Sequence, residues 1–203
     1  MEFKKIQLNG FKSFAEKTNF LIEDGLTGIV GPNGCGKSNI VESLRWVMGE
    51  TSAKSMRGSG MEDVIFSGTS NKTSKNIAEV SVSVNNPNKE GPIQYRELDE
   101  VHVRRKIEKD KGSKFYINDK EVRARDAQMF FADLSTGAHS PSMISQGRIG
   151  ALVTAKPTDR RAILEEAAGI SGLHVRRHEA ELRLSAAENN LKRADELRRQ
   201  QEK

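Results

Sequence analysis

Apolar and polar positions alternate most cleanly over Ala78–Val84, where Ala78, Val80, Val82 and Val84 are separated by Glu79, Ser81 and Ser83. A period of two predicts a half-buried strand. Residues 2–8 alternate more roughly through Phe3, Ile6 and Leu8, Asn9-Gly10 breaks the run, and 19–23 reads as a second strand, so an antiparallel pair is expected there. Leu26-Thr27-Gly28-Ile29-Val30 is a short apolar, β-branched run that suits a buried strand, and 63–66 is another strand candidate. Residues 101–107 and 114–117 flank Lys111-Gly112-Ser113, and turn residues again interrupt 116–122, which predicts a meander of short antiparallel strands.

Helical spacing governs the other segments. It is present over 39–48, and over 124–134 through Ala127, Phe130, Phe131 and Leu134. Pro157-Thr158-Asp159 opens a further helix that should end near Gly169. Ala180, Leu184, Ala187, Leu191 and Ala194 follow a 4-3-4-3 spacing, the narrow seam of a coiled coil between charged faces. Between these elements, residues 49–60 are small, polar and basic, and predict a mobile segment carrying Lys54 and Arg57.

Composition adds limits rather than identity. A chain of 203 residues with 35% hydrophobic and 30% charged residues suits one core plus a solvated extension. A formal charge of +5 permits a polyanionic partner without requiring one. Cys35 is the sole cysteine, which excludes an intramolecular disulfide. No apolar run approaches the ~20 residues of a membrane span, and the N-terminus lacks the apolar centre of a signal peptide, so a cytoplasmic location is expected.

The chemistry concentrates at residues 31–38. Gly-Pro-Asn-Gly-Cys-Gly-Lys-Ser fits the phosphate-binding loop pattern G-x-x-x-x-G-K-[ST] at every defined position, between a strand candidate and a helix candidate. Glycines at 31, 34 and 36 let the backbone turn its N–H groups toward phosphate oxygens, and the helix that follows adds its positive N-terminal dipole. Lys37 would reach the β- and γ-phosphates, and Ser38 would offer its hydroxyl to Mg²⁺. The bland reading, a glycine-rich turn that binds nothing, does not account for this spacing in this setting. Cys35 occupies a position where the backbone N–H makes the contact, so a thiol is compatible with ATP binding, and alkylating it should block the loop.

Taken together, several segments resemble the N-terminal ATPase head of the structural maintenance of chromosomes (SMC) family. They are Gly10-Phe11-Lys12-Ser13-Phe14, the loop through Asn39, Arg45-Trp46-Val47-Met48-Gly49-Glu50, Ser55-Met56-Arg57-Gly58, Met61–Phe66, Ile144-Ser145-Gln146-Gly147 and Arg160–Gly169. The resemblance spans essentially the whole chain and looks closest to bacterial members. It implies an α/β P-loop fold of the ABC type: a mixed sheet around the phosphate loop, an antiparallel β-subdomain, and a helix leaving as a coiled-coil arm. The N-terminal lobe would occupy 1–170 and the arm 171–203.

The resemblance also implies roles. Pro32, Asn33, Gly34, Cys35, Gly36, Lys37, Ser38 and Asn39 would hold the nucleotide, and Lys12 and Ser13 would line its base and ribose. Gln146 corresponds to the glutamine that meets Mg²⁺ and the lytic water, a task an amide can perform through both its oxygen and its nitrogen. Arg57 corresponds to an arginine that approaches the phosphates, where a guanidinium can neutralise developing charge.

Two expected parts are missing from the sequence. Glu97-Leu98-Asp99-Glu100 ends like a Walker B strand but lacks the apolar run before it, and Leu134-Ser135-Thr136-Gly137 imitates the signature loop but precedes Gln146. In the family both lie in a C-terminal lobe, so a piece of a longer protein is expected. That protein would be an ATPase when whole and nearly inactive as this chain. Its implied partners are that lobe, a second head, a kleisin-type bridging subunit and DNA bound without sequence preference, in chromosome condensation and segregation.

Three other readings compete. A transporter-type ABC subunit would place its glutamine much nearer the loop. A coiled-coil DNA-repair ATPase shares the head design but carries a metal hook in its arm. A DNA-binding module without turnover would use basic residues such as Lys54, Arg57, Lys72, Lys75, Arg123 and Arg125, with affinity falling steeply with salt.

Overall fold

A computed structural model describes residues 1–89, 92–134, 143, 150, 153–168 and 171–201. Its centre is one sheet built from β1 (Glu2–Asn9), β2 (Thr18–Leu21), β3 (Ile77–Asn85), β4 (Glu100–Glu108), β5 (Gly112–Ile117) and β6 (Lys120–Val122). The strand order is β2-β1-β3-β4-β5-β6, and each neighbouring pair is antiparallel. The alternation read from the sequence sets which side chains face inward: Ile6 and Leu8 on β1, Ala78, Val80, Val82 and Val84 on β3, Val101, Val103 and Ile107 on β4, Phe115 and Ile117 on β5. Each of these apart from Ala78 contributes roughly 1.5–3 kcal/mol on removal from water before chain entropy is counted.

Two helices cover that face. Helix α1 (Lys37–Val47) contributes Ile40, Trp46 and Val47, and α2 (Ala124–Asp133) contributes Ala127, Phe130 and Phe131. Phe11 packs on Trp46 with ring centroids 5.4 Å apart, and Phe130 meets Phe131 edge to face at 5.3 Å. The Asp126 carboxylate accepts the Arg123 N–H at 3.2 Å and so fixes the start of α2. Beyond this layer lie α3 (Pro157–Ala167) and α4 (Ser171–Gln201). On α4 the predicted seam residues Leu184 and Leu191 are exposed, as a heptad stripe must be before a second helix covers it.

Three expectations are corrected. The run 26–30 is not a strand: Leu26 is fully exposed and Val30 is 93% exposed. Among the described residues no strand lies beside it, and an unpaired segment cannot satisfy its backbone as a sheet member. For the same reason the mixed sheet expected around the loop is not formed by these residues. Residues 63–66 are likewise not a strand. A 3₁₀ turn, Met61–Val64, takes their place, and only Ile65 bridges to Phe11. The segment expected to be mobile, 49–60, is pinned instead: Met56 is 1% exposed, and the 3₁₀ turn Lys54–Met56 closes through Arg57 N–H to Lys54 O at 3.0 Å.

Candidate nucleotide site

The loop residues 31–36 run without regular structure into α1, whose first residue is Lys37. Gly34 and Gly36 lie at φ +84° and +95°, in left-handed backbone that L side chains rarely adopt. A Cβ at Gly36 would stand 2.4 Å from Ser13 Oγ, so glycine also permits the turn Phe11–Phe14 to close over the loop. Gly36 is the N-cap of α1 and places no side chain on the first N–H groups of the helix. The Asn39 N–H donates to Gly36 O at 2.9 Å, and the helix dipole makes this N-terminus favourable for an anion.

Lys37 folds back on its own loop. Its ammonium donates to Gly31 O at 2.5 Å and Pro32 O at 2.7 Å, with Cys35 Sγ at 3.9 Å. The thiol itself leans on Gly31, where a Cβ would approach Sγ to 2.9 Å. Ser38 is exposed on the first turn. The lysine thus holds the loop in a cradle through carbonyl dipoles, contacts that a stronger anionic acceptor can replace.

Residues far apart in sequence meet beside this cradle. Asn39 Nδ2 donates to Ser13 Oγ at 2.9 Å, and its Oδ1 lies 3.4 Å from a terminal nitrogen of Arg57. Lys12 N–H donates to Val64 O at 2.7 Å, and Phe66 N–H to Gly10 O at 2.8 Å, which fastens the Lys12 turn to the segment following Arg57. The predicted residues Lys12, Ser13, Gly36, Lys37, Asn39 and Arg57 are therefore neighbours. Gln146, and Ser135–Gly137 of the signature-like segment, lie outside the described residues.

Glu42 was missed by motif reading. It is 8% exposed and accepts from both Lys12 and Arg57. Helical spacing from Ser38 and Asn39 places it on the loop's side of α1, and that spacing was the available signal. Arg105 was missed too. It is buried beneath the other end of α1, donating to Trp46 O at 2.8 Å and Glu50 O at 2.7 Å. Its guanidinium also lies over the rings of Trp46 and Phe115 at 4.5 and 4.6 Å. Burial lowers its pKa to about 10, against the opposing pull of Glu50, so it remains charged at neutral pH. One end of α1 is left open to an anion while the other is closed by a cation, the arrangement that the helix dipole favours.

A glycine-rich loop at the head of a helix that packs on an antiparallel sheet defines the class. Residues 2–149 match the RecF/RecN/SMC N terminal domain. The chain belongs to that family, as an N-terminal head segment of the SMC type. It is 55% identical over 197 residues to the chromosome partition protein Smc of Cereibacter sphaeroides, and 54% identical over 197 residues to that of Rhodopseudomonas palustris. Each alignment covers 97% of this chain and 17% of the relative, so the chain spans about a sixth of the length of these relatives.

Solved structures agree with the fold. The Smc head domain with an extended coiled coil, bound to the C-terminal domain of ScpA and derived from Pyrococcus furiosus, is 32% identical with a TM-score of 0.77. That match covers 97% of this chain and 49% of the other. A structure from work on the ATP-driven dimerization and DNA-stimulated activation of SMC ATPases is also 32% identical, with a TM-score of 0.70, and covers 82% of this chain and 99% of the other. Among the described residues, no helix is long and apolar enough to cross a membrane.

Proposed function

We propose that this chain is the ATP-binding half of a divided ATPase site in a chromosome partition protein of the Smc type. The observation that carries the reading is the cradle itself: left-handed glycines at 34 and 36, a helix start without a side-chain cap, and Lys37 poised over the loop carbonyls. These groups suit the phosphates of a nucleotide. Residues 32–39 would hold them, with the Lys37 ammonium moving from its carbonyl acceptors to the β- and γ-phosphates. Lys12 and Ser13 would bound the base and ribose. Mg²⁺, when bound, would supply charge neutralisation between the phosphates, with Ser38 and Gln146 as its protein contacts.

Turnover requires groups that this chain does not carry. A carboxylate to polarise water and a signature loop would come from the C-terminal lobe and from a second head, so engagement of two heads is driven by binding. Arg57 would neutralise charge on the phosphates. Cycles of engagement would act on DNA held without sequence preference, in the cytoplasm on the nucleoid. The relationship to Smc heads bound to ScpA supports a kleisin-type bridging subunit as a partner.

Nucleotide binding measured beside phosphate release, with and without the complementary lobe, tests this reading. The expected result is weak ATP binding and negligible turnover by this chain, with turnover restored by the lobe. Lys37→Ala should abolish binding, whereas Gln146→Ala should spare binding and impair engagement or hydrolysis. Appreciable hydrolysis by the chain alone would contradict a divided site.

A further inference from the structure

The nucleotide reading leaves Glu42 without a role, although this nearly buried carboxylate accepts from two cations beside the loop. The two are held differently. The Lys12 side chain is 14% exposed, and its ammonium donates to both Glu42 and Met56 O while its backbone N–H donates to Val64 O. Lys12 is thereby tied to α1 and to the segment 56–64 at once. The Arg57 side chain is 60% exposed, and among the described residues its guanidinium meets Glu42 and makes a long 3.4 Å contact to Asn39 Oδ1. Both residues take left-handed backbone, with φ +47° at Lys12 and +55° at Arg57, conformations that persist only where the surroundings impose them.

We infer that Glu42 is a positioning residue of the nucleotide site, which keeps Lys12 as a fixed counter-ion and Arg57 as an exchangeable one. This rests on the loop being a nucleotide site. A buried carboxylate stripped of every partner is costly, and that cost would normally forbid an arginine from leaving it. Lys12 removes the obstacle, because Glu42 stays paired when Arg57 departs for the phosphates. The division suits the side chains. Lysine is a compact charge that can stay in place, and the guanidinium fork binds phosphate as readily as carboxylate. Glu42 therefore opposes nucleotide binding by the strength of the pair that Arg57 must give up.

The test is titration of a fluorescent ATP analogue into the unmodified chain, Glu42→Gln, Glu42→Asp, Arg57→Ala and the Glu42→Gln/Arg57→Ala double variant. Folding is checked by Trp46 fluorescence. Glu42→Gln should tighten binding about five-fold. The same substitution should change affinity by less than about two-fold when Arg57 is alanine, and Glu42→Asp should stay near the unmodified affinity. The guanidinium NMR signal of Arg57 should shift on nucleotide addition to the unmodified chain and start near its bound position in Glu42→Gln. Equal or weaker binding by folded Glu42→Gln overturns the inference, as does a gain that persists without Arg57, because a plain field effect needs no exchange. Failure of the unmodified chain to bind nucleotide overturns the underlying reading as well. If Glu42→Gln does not fold, the guanidinium signal of Arg57 in the unmodified chain decides: it should shift on nucleotide addition, and a signal that stays in place refutes the exchange.

Discussion

Arg105 shows how much a single residue can settle. It occupies an inward-facing position on β4, between Val103 and Ile107, and is 3% exposed. Its charge is tolerated because the carbonyls that end α1 accept its protons and two aromatic rings cover its faces. Arg105→Ala should destabilise the chain by about 3–5 kcal/mol, since it removes a large buried side chain together with its hydrogen bonds to Trp46 O and Glu50 O. Urea unfolding followed by Trp46 fluorescence checks this, and Arg105→Lys should recover only part of the loss because an ammonium cannot reproduce the fork. The parity of Arg105 was readable in the alternation of residues 101–107, but Arg104-Arg105-Lys106 reads as a solvated run until Trp46 and Glu50 are placed beside it. Cys35 supplies a second check at this scale. Its exposed thiol leans on Gly31 beside Lys37, so alkylation should block nucleotide binding in proportion to modification, with ATP protecting the thiol.

Elements were most legible where one periodicity dominated. β3, β4, β5 and α2 fall where alternation and helical spacing place them, because each buries one face against a single layer. The strand expected over 63–66 is absent because its apolar residues are buried by a compact turn, which leaves no period to read. That turn is closed by Asp63, whose carboxylate accepts from Gly60 N–H at 3.0 Å, Ser59 N–H at 2.6 Å and Ser59 Oγ at 2.8 Å. These bonds, those from Gly60 first, hold the pKa of Asp63 below its usual 3.8. A lowered carboxylate pKa contributes stability that is full above the unfolded value and lost as pH falls through the folded one. Protection of the Ser59 and Gly60 amides, relative to the intrinsic exchange rate at each pH, should therefore be lost only below about pH 4, while Asp63→Asn should lack that protection already at neutral pH.

At the scale of the whole molecule, the exposed run 26–30 is what a divided site would have to complete. Leu26 and Val30 stand in solvent immediately before the loop, an arrangement that leaves apolar surface and backbone groups without partners among the described residues. Adding the complementary lobe should bring 26–30 into a sheet. Hydrogen exchange there should slow by at least about ten-fold, with little change in β3 and β4. Unchanged exchange at 26–30 would mean that the lobe completes the site in some other way.

The sequence by itself determined the phosphate loop, the antiparallel meander and the long charged helix, because each depends on residue types at short, regular spacing. The tertiary structure alone decided that Lys12, Asn39, Glu42 and Arg57 form one cluster, that a guanidinium lies in the core, and that the run before the loop has no strand beside it among the described residues. These are contacts between segments separated by tens of residues. Whether a charge is paired, or a strand is joined, depends on what the fold places next to it and not on its neighbours in the chain.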